Sequence, residues 1–197
     1  MTSHDLASAA PPAGRVKFIP RPAPVLVYVA TVLAILAAKA AILYWMGNDV
    51  TCACGVKLWL NDATGPENSK QIADWYSLSH LIAGMLFAAV MWWTSRRWPL
   101  GWMIVAAAAF SMGWEVIENT PWIIAHFGQS EIGANYAGDT IVNSLGDSVF
   151  VLAGFVAALR LPLFVVIALG LLAEAAVTFA INDGLILSTM RFVGGLF

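Results

Sequence analysis

The sequence predicts an all-α integral membrane bundle of about five transmembrane helices. Three observations carry that prediction. The chain has 197 residues, 60% hydrophobic and only 11% charged, against about 25% charged in a soluble domain. Its apolar residues fall into five long runs separated by polar or proline-containing segments. Aromatic residues gather near the ends of those runs: Trp59, Trp75, Tyr76, Trp92, Trp93, Trp98 and Trp102 fit interfacial belts, where amphipathic rings settle. The mean hydropathy of +0.77 agrees.

Residues 1–24 are polar and carry Pro11, Pro12, Pro20, Pro22 and Pro24. They bury too little apolar area to fold alone and read as a flexible cytoplasmic tail. The first span runs from Val25 to Met46, interrupted by Lys39. It is longer than a signal-peptide h-region and no A-x-A site follows it, so it reads as a retained helix. The second span covers Ser77 to Thr94 and the third Leu100 to about Ile124, where Pro121 distorts the end. The fourth covers Asp139 to Leu159, and the fifth covers Leu161 to Ile181 after a tight Leu161-Pro162 step. Residues 25–183 therefore form a single transmembrane domain with a loop at 47–75. Residues 184–197 are too short to span and read as an interfacial C-terminal segment.

Orientation follows the basic residues. With five spans, Arg15, Lys17, Arg21, Arg96, Arg97 and Arg160 fall on one side, and Lys57, Lys70 and Arg191 on the other. The asymmetry places the N-terminus in the cytoplasm and the C-terminus outside, which for a bacterial inner membrane means the periplasm. Loop 47–75 is then external. Cys52 and Cys54 lie in it. An oxidising compartment could pair them, as a small ring and so a labile bond; two reduced thiols are the alternative. With a net charge of -2 and no basic run, the chain has no footprint for nucleic acid. Its partner is the lipid bilayer. Oligomeric state is not legible.

Ionisable groups inside spans are costly and mark function by default. Span two opens on Asp74-Trp75-Tyr76-Ser77-Leu78-Ser79-His80. Span three carries Glu115, Glu118 and Asn119, which share a helix face. Span four carries Asp139, Asn143 and Asp147 at i, i+4, i+8, a stripe that rises ~12 Å. Span five carries Glu174, with Asn182 and Asp183 at its end. Because alternate spans run in opposite directions, all these groups fall at one depth, in the outer half of the bundle. The expected result is a polar cavity open to the external face above an apolar, packed inner half. Gly84, Ala88, Gly113, Gly146 and Gly154 would let helices approach closely.

Crowded carboxylates in low dielectric must protonate, pair with a cation or bind a metal. Lys39 is the one intramembrane cation; it either neutralises a carboxylate or snorkels outward. The chemistry admits three readings. An enzyme would use His80, Glu115, Glu118, Asp139 and Asp147 as catalytic groups, with Asn119, Asn143 and Glu174 binding. His80, Asp139, Asn143 and Asp147 could then hold a divalent metal, and a lipid-linked substrate would reach the site from the bilayer. A proton- or cation-coupled binding protein would use the same carboxylates as a pathway. A structural or assembly protein would use them as interhelical hydrogen-bond glue.

Several motifs also carry a resemblance. The run C-A-C-G from Cys52, K-L-W from Lys57, D-W-Y-S-L-S-H from Asp74, W-E-V-I-E-N-T-P from Trp114 and Y-A-G-D-T-I-V-N-S-L-G-D from Tyr136 resembles a domain-of-unknown-function family of bacterial multi-pass inner-membrane proteins. That resemblance implies location and no activity. A more distant likeness is to VanZ-like membrane proteins, which have a His early in one helix, an acidic residue in the next and D-x-x-x-N-x-x-G in a third. His80, Glu115 or Glu118, and Asp139, Asn143 and Gly146 would match; Asp147 and the Glu118-Asn119 pair depart from it. It implies a cell-envelope role and one shared polar site.

Overall fold

A computed structural model of the chain describes residues 19–130 and 133–194. Most of the expected N-terminal tail lies outside the described residues. Every regular element among the described residues is helical: α1 (Val25–Met46), α2 (Trp75–Ser95), α3 (Leu100–Glu118), α4 (Pro121–Phe127), α5 (Ile141–Arg160), α6 (Leu163–Ile181) and α7 (Leu185–Gly194), with one 3-10 turn at Gly133–Asn135. Five of them, α1, α2, α3, α5 and α6, are long and apolar enough to cross a membrane. Bulky apolar side chains such as Leu33, Leu86, Val149, Leu171 and Phe179 point outward, as a lipid-facing surface requires and a water-facing one does not tolerate.

The ends of the helices are set by local chemistry. Gly47 closes α1 in the left-handed conformation, at φ 98°, with Asn48 N–H bonded back to Leu43 O at 3.0 Å; glycine reaches that conformation at no steric cost. Helix α2 begins at Trp75, two residues earlier than the hydropathy suggests, because Asp74 and Ser77 form a reciprocal capping box. Helix α3 stops at Glu118 rather than continuing to Ile124. Asn119 leaves helical geometry as its C-cap, and Pro121 starts the separate helix α4, where its missing N–H and fixed φ suit the first position. Helix α5 begins at Ile141 with Thr140, not Asp139, as its N-cap, accepting from Asn143 N–H at 3.2 Å.

The loop between α1 and α2 is an ordered cap on α5. Four leading N–H groups of a helix lack partners inside it. Here Ile141 N–H donates to Asp49 O at 2.9 Å, Val142 N–H to Val50 O at 3.1 Å, and Ser144 N–H to Thr140 O at 3.0 Å. Asn143 adds its side chain, donating through Nδ2 to Gln71 O at 2.8 Å. Buried Gln71 organises the loop itself. Its Oε1 accepts from Lys57 N–H at 2.6 Å, and its Nε2 donates to Gly55 O at 3.2 Å and to Glu67 Oε2 at 3.1 Å. Lys57 pairs with Glu67 at 2.5 Å, and that contact holds the Glu67 carboxyl below its ordinary value. Thr64 and Gly65 donate to Asp62 and depress its carboxyl likewise. Cys52 and Cys54 are joined as a disulfide.

Helix α2 is central. It packs most extensively on α5 and then on α6, while α3 lies between α1 and α5. Gly84 faces the Val151 carbonyl and Gly154 faces the Leu81 carbonyl, so α2 and α5 meet backbone to backbone. Gly146 lets the Ile72 carbonyl approach in the same way. Gly113 meets nothing within 4 Å and takes no part. At the end of the bundle away from the loop, Ala88, Met91, Met103, Ala107 and Phe155 form an apolar core.

Candidate functional site

The loop end of the bundle holds the polar groups. His80 lies in the second turn of α2, Glu115 in the last turn of α3, and Asp147 in the second turn of α5. The imidazole stands between two carboxylates: His80 Nδ1 is 3.6 Å from Glu115 Oε1 and His80 Nε2 is 3.7 Å from Asp147 Oδ2. Glu115 is fully buried, and neither of its side-chain oxygens receives a hydrogen bond. Asp147 is anchored by its other oxygen, with Ser77 Oγ donating to Oδ1 at 2.5 Å. Ser77 in turn accepts from Asp74 N–H at 3.1 Å, so the cap of α2 also orients Asp147.

His80 and Asp147 line a cavity of about 1010 Å³. Glu118 and Asp139 line it too, together with aromatic side chains including Phe110, Trp114, Phe127 and Phe192. Tyr76, expected in an interfacial belt, faces this cavity and donates to Asp183 Oδ2 at 3.1 Å. Helix α7 covers part of it. Glu174 holds the start of that helix, accepting from Leu185 N–H at 3.0 Å and Ile186 N–H at 2.9 Å. Arg191 of α7 reaches the cavity and pairs with Asp183 at 3.0 Å, so the C-terminal segment supplies a cation to the cavity wall.

The sequence-predicted residues thus divide. His80, Glu115 and Asp147 come together, with donor atoms of all three within 4.8 Å of one another. Asp139 and Asn143, grouped with His80 and Asp147 as metal donors by their helical spacing, stand elsewhere. Asp139 accepts from Asn119 Nδ2 at 2.6 Å and from Tyr136 OH at 3.1 Å. Its own N–H donates to Asn119 Oδ1 at 2.8 Å, and Asn48 Nδ2 joins the network at 2.7 Å from that oxygen. This closed network ties the start of the loop to the end of α3. Asn119 is therefore a junction residue, Asn143 holds the loop, and Glu174 caps α7. Lys39 neither pairs with a carboxylate nor snorkels. Fully buried, its Nζ donates to Ser144 O at 2.6 Å and Ser148 Oγ at 2.5 Å, and Ser148 Oγ contacts Ser111 Oγ at 2.6 Å.

Architecture and polar site together describe a helical bundle with five apolar helices compatible with a multi-pass membrane protein. The chain belongs to the family described as "Protein of unknown function (DUF2585)", whose model matches residues 43–196. It is similar to the UPF0314 protein of Paracoccus denitrificans, 39% identical over 180 residues and covering 91% of both chains. A UPF0314 protein of Sphingopyxis alaskensis is 39% identical over 162 residues, 81% of this chain and 86% of that one. One from Brucella anthropi is 39% identical over 163 residues, 82% of this chain and 83% of that one. These matches support the first family resemblance and do not carry the VanZ-like one. No solved structure gives a significant match.

Proposed function

We propose that this protein is a hydrolase that processes a lipid-linked substrate of the bacterial cell envelope, from a site in the outer half of the inner membrane. The observation that carries the reading is the imidazole of His80, held between Glu115 and Asp147 at the wall of the cavity. A positioned histidine with a carboxylate on each side is equipped to help activate water. The cavity suits an amphiphile. At about 1010 Å³ it sits at the upper end of small-molecule sites, which run roughly 300–1,000 Å³. A head group would lie against His80 and Asp147, and its chain against the aromatic wall. Arg191 would meet an anionic group at the rim.

The external position rests on the basic residues, which favour a cytoplasmic N-terminus, and on the Cys52–Cys54 disulfide, which suits an oxidising compartment. Labelling of a single cysteine placed in the 95–100 turn by a membrane-impermeant reagent in intact spheroplasts would reverse that orientation.

The test of activity is release of the head group from a panel of polyprenyl- and diacylglycerol-linked substrates by the purified chain in detergent. Turnover by the wild type, lost in His80→Gln and Asp147→Asn proteins that remain folded, supports the hydrolase. Full activity in both variants, or no turnover across the panel, removes it in favour of a non-catalytic assembly role.

A further inference from the structure

The buried carboxylates are not equivalent, and their difference points to a ligand. Asp139 has a hydrogen-bond donor on each oxygen, from Asn119 and from Tyr136. Asp147 has one, from Ser77. Glu115 has none, although it is fully buried. A buried ionised group without partners is expensive. Both Glu115 and the free oxygen of Asp147 turn towards the same imidazole, at 3.6 and 3.7 Å, beyond hydrogen-bonding distance. Lys39 does not enter this space, since its ammonium is turned to Ser144 and Ser148.

We propose that His80, Glu115 and Asp147 bind one divalent cation of the Zn²⁺ or Mn²⁺ class, through one imidazole nitrogen and one oxygen of each carboxylate. One nitrogen and two oxygens without a thiolate suit these ions. Bonds of about 2.0–2.2 Å place neighbouring ligand atoms about 3 to 4 Å apart, and the three donors already lie within 4.8 Å of one another. The supporting contacts are those of a metal site. Ser77 donates to one oxygen of Asp147, the outer contact that orients a ligating carboxylate and leaves its other oxygen for the ion. The three ligands come from α2, α3 and α5, three packed helices rather than a loop. Remaining coordination positions open on the cavity through His80 and Asp147. The site deepens the hydrolase reading and rests on it only for its use: such an ion acidifies a coordinated water.

The experiment uses the full chain in detergent, purified without a metal-affinity tag, stripped with a chelator and then equilibrated with Zn²⁺ or Mn²⁺ at micromolar concentration. Metal per chain is measured by mass spectrometry and the unfolding midpoint by thermal scan. About one ion per chain is expected, with a higher midpoint for the loaded protein. Glu115→Gln and Asp147→Asn should raise Kd at least tenfold, while Asp139→Asn keeps wild-type stoichiometry. The proposal is overturned if the wild type takes up neither ion, if loading leaves its midpoint unmoved, or if Glu115→Gln and Asp147→Asn both keep a stoichiometric ion. The wild-type midpoint shift decides the matter even where a variant does not fold. Metal-loaded protein that is inert on every lipid-linked substrate defeats the hydrolase and leaves the metal site standing. Hydrolysis by fully stripped protein defeats the metal's use in catalysis and leaves the hydrolase, with metal uptake and the midpoint shift still deciding the site.

Discussion

Replacing Gly84 by alanine adds one methyl group where α2 meets α5. An added Cβ there would run into the carbonyl of Val151, and at Gly154 it would run into the carbonyl of Leu81. Backbone carbonyls cannot rotate aside as a side-chain end can, so the helices must separate by on the order of 1 Å. Overfilling a packed contact costs about 1–3 kcal/mol, and removing a helical glycine returns up to ~1 kcal/mol. The net loss is about 1–2 kcal/mol, a fall in Tm of roughly 2–8 °C for a chain of this size. The same separation would draw His80, on α2, away from Asp147, on α5. Because both substitutions push the same pair of helices apart, the double variant should lose less than the two single losses added together. Gly113→Ala is the control. Nothing lies within 4 Å of that position, so its Tm should equal or slightly exceed that of the wild type. The assay is thermal unfolding in detergent, followed by circular dichroism. If Gly84→Ala and Gly154→Ala melt as high as Gly113→Ala, the close backbone contact is not what holds α2 against α5.

Three further outcomes follow from the same structure. Lys39→Met keeps the volume but leaves Ser144 O and Ser148 Oγ without their buried donor, and should lower stability by about 1–3 kcal/mol; a variant that unfolds at the wild-type denaturant concentration would show the ammonium to be dispensable. Glu174→Ala removes the carboxylate that accepts from Leu185 and Ile186 and should cost ~1 kcal/mol locally, read as faster hydrogen exchange in residues 185–194 with little change in the global midpoint. The Glu67 carboxyl is held below its ordinary 4.5, chiefly by Lys57; its contribution to loop order is therefore present above 4.5 and lost as pH falls through the depressed value. Exchange at residues 55–71 should speed up on acidification below that point, and Glu67→Gln should flatten the response.

Five spans were legible because the bilayer imposes a length, and a run of apolar residues either meets it or does not. The helix ends were less so. The end of α3 depends on Asn119 turning to Asp139, a residue distant in sequence and supplied by the approach to α5. Once Asp139 is engaged there, Thr140 is left to cap α5. The regular spacing of Asp139, Asn143 and Asp147 misled for a related reason. Residues four apart drift by about 40° around a helix, and Asp139 precedes α5 altogether. Its carboxylate, the amide of Asn143 and the carboxylate of Asp147 therefore look towards α3, the loop and His80 respectively. Ser77, Ser111 and Ser148 carry no individual signal in the sequence. A helical serine looks like packing glue until its partner is known, and these partners lie on other helices.

Depth in the bundle, by contrast, is legible without partner contacts. Alternating helix directions put His80, Glu115 and Asp147 at one end, and the structure joins them there. The opposite end is closed by Ala88, Met91, Met103, Ala107 and Phe155. Among the described residues no second set of buried carboxylates occupies that half. A proton or cation pathway needs polar steps across the whole membrane, whereas an enzyme working from one face needs a polar chamber and a closed floor. The division of the bundle into a chamber and a floor therefore weighs against conduction through a single chain. It also explains why the α2–α5 contact carries glycines: close backbone contact holds helices tightly where a polar chamber cannot supply the packing itself.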